Sequence, residues 1–391
     1  MQQKKVAILL PWLKMGGTNK IALNFMTELA RYCDVTLILS QNCGELLPEL
    51  PRNIEVIIDE MQSFPAMFRD DLKHFRVHRL AQNIMYYGRI KAGHDSIDNY
   101  KYIVDRSGYI CDTEFDCAIS YHGQSPERLL NLLYRTHSKK KVAWIHGEMS
   151  FSQDKLNRLK KYYAQMDHFF FVSGPTLESF DRIFRIERPK ATVYYNPIDK
   201  ADILKRAEEP MAIEFESGIC NILTVGRVSV EKGQDMIPAV VRTLVDKGYE
   251  ICWYIIGDGD TRANVEQLIR KYGVEQQVKM LGVKTNPYPY MKNCDIYVQP
   301  SYTEGYSTTI CEAGILGKAI IGTKPSGGIR DQITDGVDGQ IVDATAAGLE
   351  QGIERLINHP EQRERFEQEI VKKNFEGKGE IQKFLRYLND E

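Results

Sequence analysis

The sequence lacks the features that mark metal-binding, membrane-spanning and nucleic-acid-binding proteins. Its eight cysteines form no CxxC pair and no metal-like spacing, so we expect reduced thiols in a cytoplasmic protein. The formal net charge of -2 gives no global attraction to nucleic acid. The first apolar run, KVAILL, is too short to span a bilayer, and no clear signal-peptide cleavage site follows it. We therefore expect that run to form a buried strand.

Low-complexity tracts and short repeats are absent too, and apolar runs of strand length alternate instead with helical patterns. Runs such as DVTLILS, NILTVGR and ICWYIIG are apolar throughout, which is typical of parallel strands covered by helices on both faces. The alternation lapses near residues 199–217 and then restarts. The pattern predicts an α/β chain with two doubly wound domains, residues 1–198 and 199–375. A C-terminal helix over residues 376–391 is expected to pack back on the first domain.

Two short stretches have the composition of an anion site near the start of a helix. In the first domain, Gly16 and Gly17 let a ligand approach the backbone just before a helix. The GxGxxG fingerprint is absent, so the pair is only weak evidence for a dinucleotide site, and by itself it indicates only a tight turn. In the second domain, VGRVSVEKGQD sets Arg227 and Lys232 on a loop between a strand and a helix, where two cations suit a diphosphate. The alternative is two solvated surface charges.

Two glutamates, Glu304 and Glu312, bracket a run of hydroxyl residues in SYTEGYSTTICEAGILGK. The stretch follows a predicted strand and leads into a helix. Thr309 and Glu312 fit the T-x-x-E pattern of a capping box, which offers a purely structural role for Glu312. The corresponding alternative for Glu304 is a solvated loop acid.

The remaining candidates are a histidine and a pair of aspartates. His146 ends the predicted strand VAWIH, where it can donate to a sugar hydroxyl or exchange a proton, or serve only as scaffold. GDGD contains the D-x-D triplet Asp258–Asp260, which we read as turn residues with Asp260 as a helix N-cap. His74 and His78 lie one helical turn apart but lack a third ligand. We therefore expect no metal site.

Taken together, these stretches occur in the order typical of the retaining glycosyltransferases of family 4, and the chain resembles that family over nearly its whole length. The strongest part is E-x7-E at Glu304 and Glu312, with GRVSVEKG, GDG, NPID and the glycine pair around it. The resemblance implies the GT-B fold, with two Rossmann-like domains facing across a cleft. It also implies that the N-terminal domain binds the acceptor and the C-terminal domain binds the nucleotide sugar.

The resemblance implies a role for each candidate. Arg227 and Lys232 would hold the donor diphosphate, Glu312 the ribose, and Glu304 the donor sugar near its anomeric carbon. His146 would contact the sugar from the other wall. Further donor-binding positions are the glycine pair and the backbone N–H groups at the start of the helix: Gly16, Gly17, Tyr306, Ser307, Thr308 and Thr309. The family often has E-G-x-G-x-P where this chain has Glu304–Thr309, which leaves the donor sugar open.

The expected activity is retaining, metal-independent transfer of a hexose from a nucleotide sugar, a UDP-sugar, to a glycan or lipid-linked acceptor in cell-surface polysaccharide or glycolipid synthesis. No cofactor is expected beyond the nucleotide-sugar co-substrate. The alternatives are a soluble small-molecule glycosyltransferase, a sugar-nucleotide epimerase of the same fold, and a non-catalytic subunit that binds sugar nucleotides.

A basic segment over residues 68–93 predicts contact with a membrane. Apolar residues recur in it at helical spacing, and it carries Arg69, Lys73, Arg76, Arg79, Arg89 and Lys91. A basic amphipathic helix of this kind can lie on an anionic bilayer, which favours a lipid-linked acceptor and peripheral binding at the inner face of the membrane. The alternative is that the apolar stripe packs on the N-terminal sheet and the cations are solvated.

Overall fold

The computed structural model describes residues 3–14, 16–59, 64–91, 96–149, 151–185, 190–324, 327–377 and 379–389. The chain divides into two compact units. Unit 1 comprises Met1–Phe171, Leu177–Tyr194 and Gly379–Glu391, and unit 2 comprises Val172–Thr176 and Tyr195–Lys378. Across the part of the chain that the structure describes, no helix combines the length and the apolar character needed to cross a bilayer.

Each unit is built on one parallel sheet. In unit 1 the order is β3-β2-β1-β4-β5-β6-β7, with β1 (Lys5–Leu10), β2 (Asp34–Leu39), β3 (Glu55–Ile58), β4 (Glu114–Ser120), β5 (His137–Ile145), β6 (His168–Phe171) and β7 (Ala191–Val193). In unit 2 it is β10-β9-β8-β11-β12-β13, with β8 (Cys220–Val225), β9 (Ile251–Ile256), β10 (Val278–Gly282), β11 (Ile296–Gln299), β12 (Ala319–Lys324) and β13 (Gln340–Asp343). The paired strands run parallel in both sheets.

Helices connect most of the strands. They are α1 (Gly17–Leu29), α2 (Phe64–Lys73), α3 (Val77–Lys91), α4 (Ser96–Ser107), α5 (Pro126–Arg135), α6 (Gln153–Tyr163), α7 (Gly174–Phe184), α8 (Lys200–Arg206), α9 (Ile237–Asp246), α10 (Arg262–Tyr272), α11 (Tyr288–Asn293), α12 (Thr308–Ile315), α13 (Ile329–Gln332), α14 (Ala346–Asn358), α15 (Pro360–Ile370) and α16 (Glu380–Asn389). The alternation of strand and helix confirms the predicted doubly wound α/β class, because parallel neighbours need a crossover connection.

The cores contain the continuously apolar strands. All six residues of β9 and all four of β6 are buried, as expected for strands covered on both faces. In unit 1 the last helix completes this core. Phe384 of α16 packs against Phe25 of α1 and Phe170 of β6, with ring centroids 5.4 and 5.7 Å apart. The ammonium of Lys140 also holds α16 in place, because it donates to the carbonyl oxygens of Tyr387 and Leu388.

The basic segment departs from its prediction because it forms two helices, α2 and α3, instead of one. Phe75 lies between them with a φ of 52°, a left-handed conformation that interrupts helical hydrogen bonding. The apolar stripe of α3 faces solvent: Val77 is 73% exposed and Ile84 64% exposed. The alternative in which this stripe packs on the sheet is therefore wrong. The side chains of Arg89 and Lys91, and residues 92 and 93, lie outside the described residues.

Candidate functional site

The sheet of unit 2 reverses its strand order between β8 and β11. Loops that follow two such strands diverge, and the crevice between them at the carboxyl edge is where open α/β sheets bind ligands. The loop after β8 carries Arg227 and Lys232, and the loop after β11 carries Glu304. Three candidates predicted from sequence are therefore brought to the same edge of one sheet.

Lys232 and Glu304 are in direct contact. The ammonium of Lys232 donates to Oε2 of Glu304 at 2.6 Å, and Ser301 donates to the same oxygen at 3.1 Å. The two charged side chains are 20% and 11% exposed, so the pair is largely withdrawn from water. Glu304 is consequently not the solvated loop acid of the alternative interpretation.

Gly233 makes this contact possible, because it lets the two loops approach closely. Its φ is 67°, and a Cβ there would lie 2.1 Å from the carbonyl oxygen of Pro300. Any larger residue would push the loops apart and separate Lys232 from Glu304. The glycine after Lys232 therefore has a structural role at the site.

Arg227 projects from the same loop into solvent, with its side chain 71% exposed and Glu231 3.4 Å away. The GDG motif shapes the backbone beneath it. A Cβ on Gly257 would lie 1.9 Å from the carbonyl oxygen of Gly226, and one on Gly259 would lie 2.2 Å from that of Val228. The two glycines thus let the loop after β9 pack against the loop that carries Arg227.

Asp258 acts as a turn residue, since its Oδ1 accepts from the N–H of Gly259 at 2.7 Å. The prediction that Asp260 caps the following helix is wrong. Helix α10 begins at Arg262 and its N-cap is Thr261, which makes no side-chain capping bond. Among the described residues, no group of three or more acidic, histidine or cysteine side chains is arranged to hold a metal ion.

The start of α12 is organised by Ser307. Its hydroxyl accepts from the N–H of Ile310, so the alternative of a capping box formed by Thr309 and Glu312 is wrong. Gln332 accepts from the N–H of Ser307 at 3.0 Å and thereby holds the cap in place. Thr308 and Thr309 supply the remaining N–H groups of the first turn, which contains no acidic residue. Such a helix start favours an anion.

Glu312 lies in the second turn of α12, beyond the capping position. Tyr288 of α11 donates to its Oε1 at 3.4 Å. Burial raises the pKa of Tyr288, and the nearby Glu312 carboxylate raises it further. Glu312 therefore belongs to a polar contact with α11, and its carboxylate serves no helix cap.

Sequence reasoning missed a set of contacts behind the loop of Glu304. Ser173 donates to the carbonyl oxygen of Gly305 at 2.8 Å, and Asp331 accepts from the N–H of Gly174 at 2.7 Å. These pairs lie 132 and 157 positions apart in the chain, so no local pattern could have found them. The bond from Ser173 holds the backbone carbonyl of the residue next to Glu304.

In unit 1 the glycine pair lies at the start of α1, with Gly17 as the first residue of the helix. Gly16 is the N-cap of α1, makes no side-chain capping bond, and has open space where a Cβ would stand. The first turn of this helix contains no acidic residue. An approaching anion would therefore meet backbone N–H groups instead of a side chain.

His146 follows β5 and is held by two hydrogen bonds. Its ring Nε2 lies 2.7 Å from the carbonyl oxygen of Tyr121, and its N–H donates to Gln124. A carbonyl can only accept, so Nε2 carries the proton and Nδ1 is the acceptor. Burial lowers the pKa of His146 to about 3, and His122 adds to the shift. A histidine that stays neutral suits hydrogen bonding better than proton exchange.

Residues 209–373 match the family described as glycosyl transferases group 1. This region is a group 1 glycosyl transferase domain. It contains the Lys232–Glu304 pair, Arg227 and α12. The chain is 26% identical over 205 residues to the N-acetylgalactosamine-N,N'-diacetylbacillosaminyl-diphospho-undecaprenol 4-alpha-N-acetylgalactosaminyltransferase of Campylobacter jejuni. This match covers 52% of this chain and 54% of the relative. It is 22% identical over 232 residues to an uncharacterised glycosyltransferase of Methanocaldococcus jannaschii, covering 55% and 57%.

The chain thus spans about half of the length of these curated relatives. Solved structures resemble the whole of it. HepE of Anabaena, in complex with UDP and glucose, has a TM-score of 0.72 at 16% identity, covering 99% of this chain and 100% of HepE. A glycosyltransferase of Rickettsia africae also has a TM-score of 0.72 at 16% identity, covering 100% and 99%. The group 1 domain and its companion are the two Rossmann-like domains of the GT-B fold.

Proposed function

We propose that the protein is a retaining, metal-independent hexosyltransferase that moves a sugar from a UDP-sugar to a lipid-linked or glycan acceptor in cell-surface polysaccharide or glycolipid synthesis. The observation that carries the proposal is the Lys232–Glu304 pair at the strand-order reversal of unit 2. It sets a cation for a diphosphate beside a carboxylate for a sugar, at the edge where such sheets bind ligands.

Breaking the bond between sugar and nucleotide leaves negative charge on the diphosphate. Lys232, Arg227 and the first turn of α12 would stabilise that charge, which is the work that a divalent ion does in other transferases. Glu304 would accept from a hydroxyl of the donor sugar and favour a cation-like anomeric centre. Glu312 would accept from the ribose. In unit 1, neutral His146 would orient a sugar hydroxyl through Nδ1.

Support for the donor and acceptor classes comes from the relatives. HepE binds UDP and glucose, and the name of the Campylobacter jejuni relative gives a diphospho-undecaprenol-linked acceptor. Peripheral membrane binding at the inner face is part of the same proposal. It is supported by the exposed stripe of α3 and by the exposed cations Arg69, Lys73 and Arg79 near it.

A donor panel tests the proposal. Purified protein is incubated with UDP-glucose, UDP-galactose, UDP-N-acetylglucosamine, UDP-N-acetylgalactosamine and GDP-mannose, and the released nucleotide is measured with and without a lipid extract as acceptor. We expect slow UDP release alone and faster release with extract, both unchanged by EDTA. Proton NMR should show an α-linked product. Binding without release contradicts an enzyme, an epimerised sugar nucleotide indicates the epimerase, and activity lost with EDTA and restored by magnesium overturns metal independence.

A further inference from the structure

The sheet of unit 1 also reverses its strand order, between β1 and β4. The register of β2, β1 and β4 places the residues that directly follow these neighbouring strands side by side. The N–H of Ser40, after β2, donates to Leu10 of β1 at 3.3 Å, and that of Tyr121, after β4, donates to Leu9 at 3.3 Å. Ser40 and His122 therefore flank the end of β1, where a ligand site is expected.

Arg128 reaches across this edge. It lies in the first turn of α5, which follows β4, yet its guanidinium donates to the hydroxyl of Ser40 after β2. The side chain therefore passes over the end of β1, the strand between them. Arg128 is half-buried, and burial lowers its pKa, which means that the protein interior already disfavours its charge.

Among the described residues, no carboxylate forms a direct ion pair with Arg128, although Glu127 and Asp59 lie near enough to favour its charge. Within the described ranges, Arg128 has no acidic oxygen within 4.0 Å. The nearby acids are engaged elsewhere: Asp59 accepts from Arg135 through both oxygens at 2.7 and 2.8 Å, and Glu127 accepts from Ser125 at 2.7 Å. A half-buried guanidinium without an acidic partner is costly unless an anion is supplied from outside.

Two further groups at the same edge point to a ligand. Nε2 of His122 is buried without a hydrogen-bond partner, and burial together with the charge of Arg128 lowers the pKa of this residue to about 4. Helix α1 follows β1, and its start has neither a side-chain cap nor an acid. Cation, unpaired imidazole and helix start together form a setting for a phosphate.

We propose that Arg128, with Ser40 beside it, binds a phosphate group of the acceptor. The assignment of that phosphate to the acceptor rests on the proposed transferase function, in which unit 2 holds the donor. An acceptor of this class would be a phosphate-linked sugar or lipid instead of a neutral glycan. Because Arg128 forms no direct ion pair within the described part of the chain, its replacement should destabilise the fold less than that of a paired arginine such as Arg135.

The test is a calorimetric titration of inorganic pyrophosphate into protein saturated with UDP, so that the donor site is already filled. Three variants are compared with the natural protein: Arg128→Gln, Arg128→Lys, and Arg52→Gln, which removes the same charge from an exposed position of unit 1. We expect pyrophosphate affinity to fall at least about tenfold in Arg128→Gln, less in Arg128→Lys, and not at all in Arg52→Gln. Affinity for UDP should stay unchanged in all three, and any fall in melting temperature should be small.

Equal pyrophosphate affinity in Arg128→Gln and the natural protein overturns the proposal. A tenfold loss of UDP affinity in Arg128→Gln also overturns it, because the bound phosphate would then be the donor's. Failure of the transferase proposal has a different signature: the natural protein would not bind UDP, while its pyrophosphate binding would still depend on Arg128.

Discussion

Changing either Lys232 or Glu304 removes the charged partner of the other residue. Lys232→Ala should lower kcat/KM by tens to thousands of fold, because it removes a proposed contact with the donor diphosphate. Loss of a charged contact in a site that excludes water typically costs about 2–5 kcal/mol. Lys232→Ala should also lower the melting temperature, since it leaves a largely buried carboxylate unpaired. Steady-state kinetics and thermal unfolding measure the two effects. Lys292→Ala is the matched control, because its ammonium pairs with the exposed Glu208 of unit 2.

The double variant Lys232→Ala/Glu304→Gln separates fold from function. We expect it to regain most of the lost stability, because no buried charge remains, but none of the activity. If Lys232→Ala keeps the natural rate with saturating and with limiting UDP-sugar, the donor site is elsewhere.

Glu312 and Ser307 should give opposite results when changed. Glu312→Gln should weaken UDP binding and leave the melting temperature unchanged, because the cap of α12 is Ser307. Ser307→Ala should cost about 1 kcal/mol of stability, the usual value of an N-cap hydroxyl. Calorimetry with UDP and thermal unfolding make the comparison. Natural UDP affinity in Glu312→Gln would remove Glu312 from the donor site.

At this scale the sequence predicted which residues to examine but not which of them touch. Lys232 and Glu304 are 72 positions apart, and their contact depends on β8 and β11 being neighbours. The capping box was wrong because two hydroxyl residues competed for the same helix start. The choice of Ser307 depends on Gln332, which comes from a different helix and leaves no trace in the local pattern.

Among the helices and strands, α3 exposes its apolar face to solvent. Asn83, on its buried side, donates to Asp71 of α2 at 2.9 Å and accepts from Arg106 of α4. These polar contacts hold α3 against its neighbours, so the apolar residues Val77 and Ile84 face solvent. A strand or helix is usually predicted to bury its apolar face, and only tertiary contacts between polar residues could reverse that expectation here.

The exposed apolar stripe of α3 and the basic residues near it predict salt-sensitive binding to anionic vesicles. We expect the protein to sediment with phosphatidylglycerol vesicles at low salt, less at high salt, and not with phosphatidylcholine alone, because each basic residue near the surface contributes about 1 kcal/mol. Lys73→Glu with Arg79→Glu should abolish binding, and Val77→Ser with Ile84→Ser should weaken it. Arg76→Gln is the control, since Arg76 already pairs with Asp70 at 3.1 Å. Equal sedimentation of all variants would contradict this surface.

The element pattern was predictable where strands are apolar throughout, as in β6 and β9. Strand β4 was not predicted from the sequence, because Glu114 and Asp116 interrupt its apolar run. Both acids lie near the start of the strand, and Asp116 pairs with Lys139 of the neighbouring β5 at 3.0 Å. Short edge strand β3 escaped for a different reason: two of its four residues are exposed, so it lacks the signature of a buried strand.

For the molecule as a whole, three histidines of unit 1 predict loss of stability in acid. Burial lowers the pKa of His122 and of His168 to about 4 and that of His146 to about 3. Below pH 6.5 the unfolded chain therefore binds protons that the folded chain excludes. The stabilisation is complete above pH 6.5 and falls as the pH drops towards 4. Each histidine contributes a slope of about 1.4 kcal/mol per pH unit.

Denaturant unfolding at closely spaced pH values between 7 and 4.5 measures this slope. Carboxylates also titrate at the acid end, so the histidine part is isolated with His146→Gln and His168→Gln. Each variant should flatten the dependence by about one proton. The same pH dependence in the variants and in the natural protein would show that these rings bind protons equally in the folded and unfolded states.

The place of α16 in the chain has a consequence for synthesis on the ribosome. Unit 1 contributes the first strands to emerge, but Phe384, which covers Phe25 and Phe170, is translated only after all of unit 2. A nascent unit 1 therefore carries an uncovered aromatic surface while nearly two hundred further residues are added. During that interval it is a natural substrate for chaperones that bind exposed apolar surface. Its final folding step therefore follows the synthesis of unit 2, although most of its own sequence is made first.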